Sequence, residues 1–339
     1  MEDKKEARKA KAVKLADPKA ATIDLATQEM IDLAHKLEVE TVFDRAVNMK
    51  PCNIGTQGTC CKNCGMGPCR LPLPKGGIDG EDERKGLCGA TPNTIAARNF
   101  IRMIAGGAAA HSDHGRSVAE VFMSAARKET DAYKIKDTNK LLEVAKYLGI
   151  KTQVEKDGET LDRDLDEIAL KVADKAMNEW GKAEGELLFA KRAPEERYNL
   201  WKKMGVVPRN IDREIVEIMH RTHIGVDQDY QNLMKQGTRA AIADGWGGSM
   251  LATELQDILF GTPYPVASEA NLGVLKEDMV NVVIHGHEPV LSEMIVAVSQ
   301  MKEMDDYAKS KGAKGIQLSG ICCSANEILQ RHGVPHCGT

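Results

Sequence analysis

The sequence predicts an α plus α/β protein: an all-helical domain over residues 1–255, followed by the start of a parallel α/β domain over residues 256–339. Three observations predict it. Apolar residues recur at helical spacing in segment after segment up to about residue 242, without strong strand alternation. Beyond Thr262 the character changes: Met279-Val280-Asn281-Val282-Val283-Ile284 reads as a buried, β-branched strand, and Gly315-Ile316-Gln317-Leu318-Ser319 as a second. The stretches 288–311 and 324–332 are helical, and strand–helix–strand–helix is a parallel βαβ unit. A sheet of two parallel strands cannot be covered on both faces as such sheets require, so the α/β part reads as truncated at Thr339.

Taken in order, residues 1–20 are rich in Lys and Ala and read as a loose arm or surface helix. Met30, Ile31, Ala34 and Leu37, then Val42, Phe43, Ala46 and Val47, place helix between residues 23 and 49. Residues 50–90 are rich in Gly, Pro and Cys and read as a loop ordered by whatever it binds. Thr91-Pro92 is an N-cap followed by proline at the first helical position. It opens a long helix to about Lys128, with an interruption expected at Gly106-Gly107. Further helices are expected over 139–149, 163–182, 194–204, 211–221 and 226–242.

The bulk properties exclude several classes. With 42% hydrophobic and 28% charged residues in 339, the composition is that of a soluble globular protein. A formal net charge of -4 gives no reason to expect nucleic acid or an anionic membrane as partner. The opening residues lack the apolar core of a secretory signal, and the most apolar stretch, 101–110, is too short to span a bilayer. A cytoplasmic location with no transmembrane segment is the expectation. In that reducing setting the cysteines matter: six of the nine fall between Cys52 and Cys88, the others being Cys322, Cys323 and Cys337. So dense a group in a large chain binds metal more often than it forms disulfides.

Within the loop, Cys61-x2-Cys64-x4-Cys69-x18-Cys88 lets one short segment wrap three corners of a cubane while a fourth thiolate arrives from further on. Gly65, Gly67 and Gly89 would let the backbone come close to a cluster. Cys52 and Cys60 remain, half of a second four-thiolate set. A two-fold dimer would supply the other half, with one cluster on the symmetry axis. The plainer alternatives are zinc or inert buried thiols. Structural zinc usually shows two matched knuckles, and only Cys61/Cys64 makes one.

Ligand sites in parallel α/β sheets gather beyond the carboxyl ends of the strands. There His285-Gly286-His287 follows the first strand and Cys322-Cys323 the second, so that imidazole and thiolate converge if the strands are neighbours. One His and one Cys are too few for a closed site, and a satisfied histidine beside a packed cysteine is the simpler reading. His111 and His114, three apart on the long helix, share a face and could relay protons near neutral pH. Surface histidines at that spacing are common.

Together these segments resemble the anaerobic nickel-containing carbon monoxide dehydrogenases. The resemblance is carried by KPCNIGTQGTCCKNCGMGPCR with KGLCGAT, GGAAAHSDHG, EIMHRTHIG, DILFGTP, SEANLGVLK, VNVVIHGHEPVLSEM and SGICCSANEIL, in the same order over nearly the whole chain. It implies a homodimer with a helical N-terminal domain and Rossmann-like domains after it. It also implies the reversible oxidation of CO with water to CO2, two protons and two electrons.

By the same resemblance Cys61, Cys64, Cys69 and Cys88 hold a [4Fe–4S] B-cluster, and Cys52 and Cys60 are half of an intersubunit D-cluster, either [4Fe–4S] or [2Fe–2S]. His287 and Cys323 are ligands of the outer iron of the nickel–iron–sulfur C-cluster. His111 is the active-site histidine, and His114 continues a proton path outward. Some members extend that path with histidines one turn apart, where this chain has Ser117 and Glu120. The remaining C-cluster ligands and a catalytic lysine lie beyond residue 339 in the family, so this chain alone is not expected to assemble the nickel site. A ferredoxin-like electron acceptor is implied, and an acetyl-CoA synthase subunit is left open as a partner. Two other functions stand beside this one: a non-catalytic iron–sulfur electron-transfer fragment, and a hybrid-cluster-type reductase, whose cysteine loop lacks the extra Cys52/Cys60 pair.

Overall fold

Fourteen helices and six short strands make up the described residues of the computed structural model, which are 14–286 and 288–337; the side chains of Leu272, Pro289 and Ala325 are not described. The chain divides into two units, which part between Thr56 and Gln57. The first holds α1 (Pro18–Ala21), α2 (Leu25–Lys36), α3 (Val42–Asn48) and α4 (Asn53–Thr56). Thr41 and Asp44 form a reciprocal capping box at the start of α3. The buried Asp44 carboxylate also accepts from the Ala16 backbone N–H at 2.7 Å and lies 2.9 Å from His35 Nε2, so one acid joins three segments.

The second unit opens with the cysteine loop, where β1 (Cys60–Cys61) pairs antiparallel with β2 (Cys69–Arg70). Next comes α5 (Pro92–Ala126), capped by Thr91, whose side chain accepts from the Thr94 N–H, with Pro92 in the first turn as the sequence predicts. The expected interruption is absent: α5 runs unbroken through Gly106-Gly107. Glycine costs a helix roughly 1 kcal/mol per residue. Here the opposite face, with Ile101, Ala105, Ala108 and Ser112, is buried and offsets it.

Then follow α6 (Thr138–Tyr147), β3 (Gln153–Lys156), β4 (Glu159–Asp162), α7 (Leu165–Gly181), α8 (Glu195–Met204), α9 (Ile211–Arg221) and α10 (Tyr230–Ala243). The first 255 residues are therefore not all helical, since β3 and β4 form an antiparallel hairpin in register Lys156↔Glu159. Its turn, Asp157-Gly158, has φ of 54° and 85°, the left-handed pair that a tight hairpin needs. The α10 helix does not stop at residue 242. It passes through a π-helical turn, Asp244–Ser249, into α11 (Met250–Phe260).

The main core lies among α5, α6, α7 and α11 and is filled by Phe122, Leu141, Ile168, Trp180, Leu251 and Leu255. A second cluster, with Ile101, Ile218 and Leu233, joins α5 to α9 and α10. Burying side chains of this size stabilises the fold by about 1.5–3 kcal/mol each before entropy is counted.

The last segment is β5 (Val280–His285), α12 (Pro289–Ser299), α13 (Lys302–Ser310), β6 (Ile316–Ile321) and α14 (Cys322–His332). β5 and β6 are parallel neighbours from Val280↔Ile316 to His285↔Ile321, which is the βαβ unit the sequence predicts. The single helix expected over 288–311 is two. Apolar α12 packs Val296 against Ile284, Ile328 and Val334. Polar α13 begins afresh after an extended Met301, with Glu303 and Asp305 in its first turn. No helix among the described residues is long and apolar enough to cross a membrane.

Candidate functional site

Two cavities, both beside α5, gather the chemistry. The first lies at the N-terminal end of α5 and is lined by Cys61, Cys64, Cys69 and Cys88 together with Ile95 and Arg98. The β1–β2 pairing sets Cys61 directly across from Cys69. Arg84 fixes the return of the loop by donating to the carbonyls of Pro72 (2.8 Å) and Leu71 (3.3 Å) while paired with Asp82. Two glycines make the tight packing possible. A Cβ on Gly67 would meet the Cys61 carbonyl and the Cys69 nitrogen at 3.1 Å, and one on Gly86 would meet Cys69 Sγ at 3.2 Å. Gly67 is among the glycines expected from the cysteine spacing; Gly86 lies in the KGLCGAT segment but is not singled out there.

Hydrogen-bond donors face the sulfurs. The Leu87 N–H lies 3.4 Å from Cys69 Sγ, and Arg98 Nη1 3.5 Å from Cys88 Sγ. Burial pushes the Cys88 thiol up, but the Arg98 guanidinium and the Ala90 and Gly225 N–H groups outweigh it and bring it down to about 7. Among the described residues, no three His, Cys, Asp or Glu side chains converge closely enough to hold a single metal ion. Four thiols line this one cavity, the number of thiolates that four-iron clusters commonly use.

Cys60 neighbours Cys61 in β1 but does not line this cavity. Its carbonyl and that of Gly58 accept from Asn99 of α5, at 3.1 and 2.8 Å. Cys52, in the first unit, is exposed and accepts from the Gly55 N–H at 3.4 Å.

The second cavity, of about 230 Å³, is lined by His111, His114, Ser249, Thr253, Cys323 and Glu327 among others. Residues over 200 positions apart in the chain thus meet here. The π-helical turn sets the geometry. Its hydrogen bonds run from i to i+5, so Asp244 and Ser249, five apart, both face one partner. His111 Nδ1 is 2.7 Å from Asp244 Oδ1 and 3.1 Å from Ser249 Oγ. The carboxylate can only accept, so Nδ1 carries the hydrogen and donates to it, leaving Nε2 as the exchangeable atom. Close approach needs glycine: a Cβ on Gly115 would meet the Gly248 carbonyl at 2.7 Å. Trp180 Nε1 also donates to the Ser112 carbonyl at 2.9 Å, fixing this turn of α5. Sequence reasoning misses both Asp244 and Ser249, because Asp-Gly-Trp-Gly-Gly-Ser reads as a loop.

The Asp244 hydrogen bond and charge raise the His111 pKa above the ordinary histidine value, against a smaller lowering by burial. The folded chain therefore favours the imidazolium, and that stabilisation is full below the ordinary histidine range and is lost as pH rises through the raised value. Asp244→Asn is expected to move the His111 titration, followed by NMR, to lower pH. An unchanged titration would contradict the pairing.

At the strand ends, His285 Nε2 lies 3.2 Å from Cys322 Sγ, and the Ser324 N–H donates to the Gly286 carbonyl at 2.9 Å. The imidazole and thiol that meet at the ends of these neighbouring strands are those of His285 and Cys322, one position before the expected ligand Cys323. His287 lies outside the described residues. Burial and the nearby Cys322, Glu327 and Asp244 push the Cys323 thiol up.

Comparisons with known proteins bear on this geometry. The model of the Prismane/CO dehydrogenase family matches residues 59–339. The chain is 49% identical over 320 residues to carbon monoxide dehydrogenase 1 of Methanosarcina acetivorans, covering 94% of this chain and 49% of that protein. It is 41% identical to the carbon monoxide dehydrogenase/acetyl-CoA synthase subunit beta of Moorella thermoacetica, covering 97% of this chain and 47% of that one. A nickel-free crystal structure of carbon monoxide dehydrogenase from Thermococcus sp. AM4 matches with a TM-score of 0.85 at 46% identity, covering 96% of this chain and 50% of that chain. The chain spans about half the length of the curated relatives it matches.

Proposed function

The chain belongs to the Prismane/CO dehydrogenase family, and from that premise we propose that it forms the N-terminal half of a carbon monoxide dehydrogenase subunit, catalysing CO + H2O to CO2 + 2 H+ + 2 e-. The observation that carries this reading is the meeting of His111 and His114 with Cys323 on one cavity, beside the same helix whose first turns border the four cysteines. Cys61, Cys64, Cys69 and Cys88 would hold a [4Fe–4S] relay. Cys323, with His287, would hold the outer iron of a nickel–iron–sulfur cluster, the remaining ligands coming from residues outside this sequence. When bound, that cluster takes up the two electrons and lowers the pKa of the attacking water.

The chain's own residues handle the protons. Asp244 and Ser249 hold His111 by Nδ1, so that Nε2 can take a proton arising at the cavity, with Asp244 stabilising the imidazolium. His114, one turn on, also lines the cavity and would pass the proton outward. Electrons would leave through the four-cysteine cluster and then a cluster shared with a second copy of the chain, to a ferredoxin-like acceptor. An acetyl-CoA synthase subunit is a further candidate partner, as the name of the Moorella relative suggests.

The test is CO-dependent reduction of a viologen dye without oxygen. The chain is assayed alone and after co-expression with the C-terminal half of the Methanosarcina acetivorans relative. Activity is expected only in the complemented pair, and to fall by about 10²–10⁴-fold in His111→Ala. Equal activity in the His111 variant would contradict the assigned role, and inactivity of a nickel-loaded pair would contradict the function.

A further inference from the structure

Arg98, in the second turn of α5, is 1% exposed and borders the four-cysteine cavity. Its Nη2 donates to the Asp227 carbonyl at 2.9 Å, its Nη1 reaches Cys88 Sγ at 3.5 Å, and its Nε makes no hydrogen bond. Among the described residues no carboxylate comes within ion-pair distance of it, whereas Arg331, whose side chain is 3% exposed, has three. A guanidinium does not escape burial by losing its proton. An uncompensated buried charge is strongly destabilising, so the counter-charge has to come from what occupies the cavity. Four thiolates around a [4Fe–4S] core carry a net negative charge, which one-electron reduction increases by one unit.

We propose that Arg98 is the counter-ion of the cluster held by Cys61, Cys64, Cys69 and Cys88, and that it holds the reduction potential of that cluster up by stabilising the reduced, more negative state. The inference rests on the iron–sulfur reading of the cysteine loop. Net charge and hydrogen bonds to sulfur set the potentials of such clusters, and Arg98 supplies both. The Leu87 N–H on Cys69 and the Gln228 amide, 3.9 Å from Cys88 Sγ, are neutral donors that stay in place when the charge is removed. Arg98 is thus a positioning and tuning residue, touching a ligand and no substrate.

The experiment is a dithionite titration of the full chain, purified without oxygen and followed by electron paramagnetic resonance, on wild type, Arg98→Gln and Arg98→Lys. At the wild-type midpoint, Arg98→Gln is expected to show a reduced-to-oxidised ratio about tenfold lower, or 59 mV for a one-electron couple. Arg98→Lys, which keeps the charge, is expected to stay within about threefold. An Arg98→Gln cluster as easily reduced as wild type, or more easily, overturns the proposal. If Arg98→Gln loses its iron, retention by Arg98→Lys supports the counter-ion role, and loss from both overturns it in favour of a purely steric one. Wild type without iron would instead overturn the cysteine-loop reading itself, which separates the two failures.

Discussion

Replacing Cys64 by alanine is expected to lower the iron of the anaerobically purified chain from about six atoms to about two, a loss of one four-iron cluster. Cys64 is the informative position because it is half-buried, whereas Cys61 packs in a cluster with Ala90 and Ile95 where truncation would itself leave a hole. The loop between Gln57 and Thr91 holds little regular structure beyond its two-residue strands, and the cavity its cysteines enclose is bordered by α5. Metal binding energy is folding energy for such a segment. Protease cleavage within this loop is therefore expected to quicken along with the loss of iron. Cys337→Ala is the control: that thiol is also buried, but it faces the Gly320 carbonyl at 3.4 Å, far along the chain in the α/β segment. Equal iron loss in both variants would mean that the effect is general instability and not ligation.

Arg331→Leu is expected to destabilise the chain by about 3–5 kcal/mol, the usual result of removing one partner from a buried ion cluster. Arg331 of α14 is 3% exposed and contacts Asp257 of α11 at 2.6 Å and Glu293 of α12 and Glu327 of its own helix at 3.0 Å each. Its Nε donates to the Gly261 carbonyl at 3.1 Å. One cation thus joins the end of the helical region to the βαβ segment that presents Cys323. Leucine keeps the apolar stem but leaves three carboxylates facing one another.

The sign of the pH dependence follows. Burial already pushes Asp257 and Glu327 above the usual carboxylate range. An acid raised in the folded state favours folding below its ordinary value and loses that contribution as pH rises through the raised one. Without Arg331 the rise is larger, so the deficit of the variant should be greatest near neutral pH and shrink toward acid. Urea unfolding at two pH values measures this, and a deficit below about 1 kcal/mol, or one that grows in acid, would contradict it.

Much of the architecture is legible in the sequence where a local signal has a single reading. The Thr91-Pro92 cap starts α5 where it is expected, and the β-branched run through Ile284 is the strand it looks like. The hairpin over 153–162 is also written in the sequence, since Asp157-Gly158 between alternating residues is a strong hairpin signal. It escapes a reading tuned to helices on either side. Gly106-Gly107 misleads in the other direction, because local propensity says break while tertiary burial of the opposite face keeps the helix whole.

The sites divide similarly. Spacing alone brings Cys61, Cys64, Cys69 and Cys88 together, and the structure lines one cavity with all four. The turn carrying Asp244 and Ser249 has no such signature, because three glycines and an aspartate resemble a loop until packing against Gly115 and His111 winds them into a π turn. Nor does any pattern in the sequence reveal that Arg98 lacks a carboxylate partner. That is a property of what surrounds it in space.

Iron, zinc and acid-labile sulfide counted per chain, in protein purified without oxygen, test the central claim most directly. The account predicts about six iron atoms and a matching amount of sulfide, one cubane and half of another, with no zinc. Zinc in place of iron, or a folded chain holding neither metal, would contradict it.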